Sequence, residues 1–258
     1  TGGAAAVVKG SRWIILQTAI ILKLRITSWC ESGGDVARLR NTHLRERHHF
    51  IMETAYSGIY GYLPQPSMVD FPGRIAMVMF ASGCNLRCGF CHNAPLMGTP
   101  REGIPFHSLS EALTSFRDQW CDGVVLTGGE PTLMKDLPGF IRYLREAGFA
   151  VKLDTNGTNP AILSDIKPLV ELISMDVKTS LEAYPGLTGF DDTERIHTSI
   201  ELIKSVFPRH EFRTTVIEDH HTDRIMRDIC EIVKGAKRYV IQPFLPRDNL
   251  PQPVFRKK

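Results

Sequence analysis

The sequence lacks a hydrophobic run long enough to cross a bilayer. Its apolar stretch at residues 13–22 spans ten residues, against about 20 for a membrane helix. Residues 27–30, just after it, make a poor signal cleavage site. An excess of charge of either sign is missing too. With 31 basic and 28 acidic residues the net charge is +3, which does not call for nucleic acid or an anionic membrane as partner. A secreted disulfide framework is also absent: of six cysteines, Cys30, Cys121 and Cys230 stand alone. There is no internal repeat and no low-complexity tract. What remains is an ordinary globular composition, 43% hydrophobic and 23% charged over 258 residues. It is enough for one large core and is expected in the cytoplasm.

Residues 1–51 read differently from the rest. After the apolar run comes a basic stretch, 38–49, with four arginines and three histidines and no apolar period. The chain starts at Thr1, and Met52 precedes the first segment with organised patterning. Residues 1–51 are therefore expected to be a non-core extension, disordered or an artefact of start-site choice, with a partner-binding arm as the alternative. Residues 52–258 are expected to form the single domain.

From residue 74 on, strand-like segments alternate with helix-like ones. Strands are expected at 74–80, 123–127, 150–154, 172–176, 211–216 and 239–243. Helices are expected at 108–120, 137–147, 160–169, 194–206 and 222–233. Six such strands argue for a parallel α/β sheet with helical crossovers. They are too few for a closed eight-unit barrel. A partial (βα)6, TIM-like barrel is expected, with a flat doubly wound sheet as the alternative that periodicity does not separate.

Polar motifs stand at the carboxyl end of every expected strand, where parallel α/β folds bind ligands. The first strand runs into a cysteine loop, the second into Thr127-Gly128-Gly129-Glu130-Pro131, the third into Asp154-Thr155-Asn156-Gly157. The fourth runs into Asp176-Val177-Lys178, the fifth carries Arg213, and the sixth runs into Gln242-Pro243. Each alone is explained as a turn or a solvated strand end. Together, in this order, they point to one pocket.

The most informative segment is the cysteine loop. Cys84, Cys88 and Cys91 fall within eight residues. Three thiolates on one loop can hold three irons of a [4Fe-4S] cluster and leave the fourth iron free to bind a small molecule. The competing reading is a structural zinc site in a non-catalytic binding module. Its only adjacent nitrogen ligand would be His92, next to Cys91, and neighbouring residues rarely both reach one tetrahedral ion.

The Cys84-x3-Cys88-x2-Cys91 loop, with Phe90 before its last cysteine, resembles that of the radical S-adenosylmethionine (SAM) superfamily. Gly128-Gly129-Glu130 resembles that family's glycine-glycine-glutamate motif. Residues 67–73 (SMVDFPG) and 83–95 (GCNLRCGFCHNAP) are similar to glycyl-radical-enzyme activating proteins. Among these the similarity is greatest to the activator of anaerobic ribonucleoside-triphosphate reductase, with pyruvate formate-lyase activators as close relatives. The resemblance implies the radical SAM fold, a [4Fe-4S] cluster on Cys84, Cys88 and Cys91, and SAM on the fourth iron. It implies that Gly128, Gly129 and Glu130 hold the ligand's amino group, and that Phe90, His92 and Asn93 line its adenine and the cluster. Asp154, Thr155 and Asp176 match a monovalent-cation site. Lys178 would meet the ligand carboxylate, Arg213 the ribose or carboxylate, and Gln242 the ligand from the last strand. The implied chemistry is reductive cleavage of SAM to a 5′-deoxyadenosyl radical, which takes a glycine Cα hydrogen from a large glycyl radical enzyme. A one-electron reductant such as flavodoxin or ferredoxin is implied as a second partner. A radical SAM enzyme acting on a small molecule is the alternative within the superfamily. With no ferredoxin-like insert after Cys91, one cluster is expected. Cys121 and Cys230 are expected to be small buried apolar residues.

Overall fold

The computed structural model describes residues 57–255; the expected extension at 1–51 lies outside them. Seven strands form one sheet in chain order. β1 (Ile59–Tyr62) is antiparallel to β2 (Ala76–Ala81). From β2 the sheet is parallel through β3 (Gly123–Gly128), β4 (Ala150–Thr155), β5 (Leu172–Asp176), β6 (His210–Val216) and β7 (Tyr239–Pro243). A doubly wound sheet reverses its strand order at a switch point. Here the order never reverses, so the six parallel strands form the partial barrel. β1 was not expected.

The crossovers carry α1 (Phe106–Asp118), α2 (Leu137–Glu146), α3 (Pro160–Ile166), α4 (Tyr184–Thr188), α5 (Thr193–Val206) and α6 (Asp223–Ile232). Local chemistry sets their limits. Asp136 accepts from the Gly139 N–H at the start of α2, and Thr222 accepts from Ile225 N–H at the start of α6. Gly148 and Gly235 follow α2 and α6 with φ of +84° and +87°, the left-handed stop that glycine takes without a Cβ penalty. α1 begins at Phe106 rather than 108 and has no side-chain cap; Phe106 is buried in the core, so packing starts the helix earlier than the serines would.

Strand alternation gives the sheet two different faces. Met77, Met79, Val124, Leu126, Val151, Leu153, Ile173, Met175 and Phe212 face the helices and form the main core with Leu109, Phe116, Ile141, Leu144, Ile166, Ile200 and Ile203. The opposite face is apolar only near the strand starts. There Ala76, Val78, Val125 and Leu172 pack on Phe71, which is fully buried. This accounts for the segment 67–73. Ser67 pairs with Ala76 in both directions, Gly73 turns with φ +86°, and Phe71 plugs the barrel floor. Toward the carboxyl ends the same face turns polar, with Lys152, Asp154, Ser174, Asp176, Glu211 and Arg213.

Candidate cofactor site

The cysteine loop leaves β2 and is held on several sides. Cys84 and Gly98 exchange both backbone hydrogen bonds, the Arg87 N–H donates to Thr188 O, and the Cys91 N–H donates to Cys88 O. Leu86, Cys88 and Phe90 pack with Ile217, Leu250 and Phe255 in a second apolar cluster. The last two lie beyond β7, where the chain doubles back over the loop and ends its described course in a 3-10 turn, Pro253–Phe255. The Gln252 N–H donates to Gly89 O, and a Cβ on Gly89 would overlap the Gln252 side chain. Phe90 meets Phe244 and Phe255 edge-on, and His92 stacks on Phe244.

The glycine pair at the end of β3 packs directly against this loop. A Cβ on Gly129 would stand 1.9 Å from Gly83 O, and Gly128 has φ +111° and abuts the Ala81 backbone. The Glu130 N–H donates to Gly83 O, and Asn93 Nδ2 donates to Gly128 O at 3.0 Å. These contacts admit only glycine. One open cleft is lined by Cys84, Cys88, Cys91, Phe90, His92, Asn93, Gly128, Gly129, Asp154, Thr155, Asp176, Lys178 and Arg213, so it gathers all but two of the residues expected from the sequence.

Glu130 and Gln242 are the exceptions. Glu130 is fully buried and is not part of the cleft lining. Its Oε1 accepts from Thr132 N, Thr132 Oγ1 and Thr155 Oγ1, and its Oε2 accepts from Asn156 N at 2.6 Å. Burial pushes its carboxyl up, and these donors oppose the shift. Glu130 thus ties the β3 loop to the β4 loop. Gln242 is exposed and lies outside the cleft.

Five charged residues form an alternating chain across β4, β5 and β6. Lys152 Nζ meets Asp154 Oδ1 at 2.5 Å, and Arg213 Nη1 meets Asp154 Oδ2 at 3.2 Å. Arg213 Nε meets Asp176 Oδ1 at 2.8 Å, and Lys178 Nζ meets Asp176 Oδ2 at 2.7 Å. Burial would raise the Asp176 carboxyl, but Arg213 and Lys178 overcome it and hold the group well below the usual carboxylate range. For Lys178, burial pulls down and Asp176 more than reverses it, so the ammonium stays charged. The Lys178 backbone is clamped as well, its N–H donating to Tyr184 Oη and its carbonyl meeting His221 Nε2.

The monovalent cation that the resemblance implies beside Asp154, Thr155 and Asp176 would meet side chains that are already partnered. Every carboxylate oxygen of Asp154 and Asp176 already takes a cationic donor. Thr155 Oγ1 is engaged between Glu130 and the Gly157 N–H. Three cations against two anions leave a positive excess, which suits an anionic ligand group.

The three thiols fit a cluster better than zinc. Burial pushes Cys88 up to about 12 and raises Cys84 and Cys91, and Lys178 opposes all three shifts. Such thiols stay protonated at neutral pH until metal replaces the proton. Among the described residues, no three His, Cys, Asp or Glu side chains converge on one ion-sized point. A cubane needs its thiolates spread over three irons, whereas zinc needs them convergent. His92 Nε2 is engaged with Leu245 O at 2.9 Å, which occupies one of the two ring nitrogens the zinc reading has. Cys121 is buried in the helix-side core as expected, but Cys230 is exposed.

The model of the radical SAM superfamily matches residues 78–232. The chain belongs to the radical SAM superfamily. It is therefore an enzyme whose family cofactors are a [4Fe-4S] cluster and SAM. A Methanocaldococcus jannaschii protein named as a glycyl-radical enzyme activating enzyme is 33% identical over 190 residues, covering 70% of this chain and 78% of the relative. The pyruvate formate-lyase-activating enzyme of Listeria monocytogenes is 35% identical, covering 68% and 77%; that of Clostridium pasteurianum is 27% identical, covering 69% and 78%. Among solved structures, Streptococcus suis SuiB bound to its precursor peptide SuiA superposes with a TM-score of 0.56 at 16% identity. It covers 87% of this chain and 49% of SuiB, and that likeness carries the fold alone.

Thr127 and Asn156, which the sequence placed in the motifs without a role, also line the cleft, and the sequence reading missed Thr215, Leu86 and Met97 in its lining and Lys152 behind it. Lys152 had a signal: a lysine in the middle of the apolar run 150–154.

Proposed function

We propose that this protein activates a glycyl radical enzyme, and that Cys84, Cys88 and Cys91 hold the [4Fe-4S] cluster. When bound on these thiols, the cluster would supply the one electron for reductive cleavage of SAM to methionine and a carbon radical able to take a hydrogen atom from a glycine Cα of the partner. The observation that carries the reading is the meeting, in one cleft, of three thiols on one loop with the cationic excess of Lys178 and Arg213. Those two side chains stand where a ligand carboxylate adds a third negative group to Asp154 and Asp176. The Gly128–Gly129 backbone lets the ligand's amino group approach closely, and Phe90, His92 and Asn93 form the aromatic and amide wall. The Phe71 plug and the tail across Phe90 exclude water from two sides, which a reactive primary radical requires. No acid–base dyad is needed, because the key step moves a hydrogen atom.

Anaerobic ribonucleoside-triphosphate reductase is the partner favoured by residues 83–95. The names of the Listeria and Clostridium relatives favour pyruvate formate-lyase as the second choice. The enzyme is proposed to work in an oxygen-poor cytoplasm with a flavodoxin or ferredoxin as reductant. The test is incubation of reduced holoprotein and SAM with each candidate, followed by electron paramagnetic resonance. A glycyl doublet in the reductase is expected. A doublet only in the lyase selects the second partner, and SAM cleavage with neither radical points instead to a small-molecule substrate.

A further inference from the structure

Asn156 carries a role that neither the turn reading of Asp154-Thr155-Asn156-Gly157 nor the family cofactors assign. It follows β4, is nearly buried at 6% exposure, and its backbone N–H is anchored on Glu130. Its side-chain amide has one available orientation. Oδ1 accepts from the Thr158 N–H at 3.0 Å and from Thr158 Oγ1 at 2.7 Å. A flipped amide would set NH2 against the Thr158 N–H, donor against donor. Nδ2 must therefore point the other way, and both its hydrogens find acceptors: Asn85 Oδ1 at 3.1 Å and Cys84 Sγ at 3.7 Å. Asn85 is fixed in turn, since its Nδ2 donates to Thr158 Oγ1 at 2.9 Å. The amide is locked before any metal arrives, with an N–H aimed at one of the three candidate ligand sulfurs.

We propose that Asn156 is a positioning residue that sets the reduction potential of the cluster through Cys84. The proposal rests on the cluster assignment above. A hydrogen bond into a ligand sulfur withdraws electron density from it. The reduced cluster carries one more negative charge than the oxidised cluster, so the donor stabilises the reduced form more and raises the potential. Cys91 takes a backbone donor at Asn93 and Cys84 one at Leu86; among the described hydrogen bonds only Cys84 has a side-chain donor as well.

The test uses the full chain, reconstituted anaerobically with iron and sulfide, and a potentiometric titration read by electron paramagnetic resonance. Asn156→Asp keeps the size and the oxygen facing Thr158 but removes the donor. Asn156→Leu removes the donor without adding charge. Thr158→Val cuts the hydroxyl bonds of the same network and leaves the N–H aimed at Cys84. Both Asn156 variants are expected to keep their iron and to lower the reduction equilibrium by about tenfold, 59 mV for a one-electron couple. Thr158→Val is expected to move it far less. In wild type, deuterium exchange is expected to shift an iron–cysteine stretching band in the resonance Raman spectrum, an effect lost in Asn156→Leu. An unmoved potential in both Asn156 variants overturns the proposal. So does an equal shift in Thr158→Val, which makes the network merely structural. So does iron loss from an Asn156 variant that keeps its circular dichroism, which assigns a holding role instead. A wild-type chain that takes up neither iron nor sulfide fails at the cluster assignment itself and removes the proposal with it.

Discussion

Cys88→Ala is expected to abolish both iron binding and radical formation while leaving the chain folded. Cys88 is the most buried of the three thiols, enclosed by Leu86, Phe90, Ile217, Leu250 and Phe255. A methyl group there gives an iron no ligand, and the apolar walls give it no water. The two remaining sulfurs then face a cluster with two irons unliganded by protein. The brown absorption and the iron content should both fall to background after reconstitution. The matched controls are Cys121→Ala and Cys230→Ala. Cys121 lies in the helix-side core and Cys230 is exposed on α6, so neither should lower the iron content. Equal iron in Cys88→Ala and wild type would contradict the assignment.

Arg213→Met is expected to destabilise the cofactor-free fold by roughly 3 kcal/mol at neutral pH. Removing one partner of a buried ion network costs about 3–5 kcal/mol, because a charge is left without its counterion. The low end applies, since Asp154 keeps Lys152 and Asp176 keeps Lys178. Acid dependence gives the sharper signature. The folded-state pKa of Asp176 is depressed, despite burial, by Arg213 and Lys178. A depressed carboxyl contributes stability that is complete above its unfolded value of about 3.9. That stability is lost as pH falls through the lower folded value. Without Arg213 the folded value rises, so the window of loss narrows and less stability depends on pH. Urea unfolding of the two proteins between neutral pH and pH 3 measures this. Wild type should be the more stable at neutral pH, and the gap should shrink toward pH 3. A constant gap would contradict the ion-chain account.

Most of the parallel strands were legible as short apolar runs closed by a polar or glycine-rich turn, whereas β6, His210–Val216 (HEFRTTV), is largely polar. β1 was not legible, since Ile59-Tyr60-Gly61-Tyr62 has four residues and no crossover helix to mark it. α4 was not, because Pro185 and Gly186 read as loop, and only packing holds that turn helical. The choice between a partial barrel and a doubly wound sheet needs spatial strand order, which hydrophobic periodicity does not encode. In the site, motif spacing located the residues but not the aim of their side chains. Glu130 sits in the motif beside Gly128 and Gly129, yet the donors on Thr132, Thr155 and Asn156 draw its carboxylate inward. The resemblance implied a cation beside Asp154 and Asp176, while two of the side chains that meet them, Lys152 and Arg213, come from strand interiors. Asn156 was hidden because Asn-Gly already explains a turn, and Gly157 does turn with φ +77°. The tail that crosses Phe90 follows the last strand without periodicity, so only its contacts reveal it.

The central claim is that three side chains of this protein hold the cluster and leave one iron for the amino and carboxylate groups of SAM. It is tested most directly by electron–nuclear double resonance on the reduced, reconstituted chain with SAM labelled by 15N at the amino group and 17O at the carboxylate. Both labels should couple to the cluster, and both couplings should vanish when unlabelled SAM is used. A cluster that couples to neither label, with its fourth iron held by a protein side chain, would contradict the account.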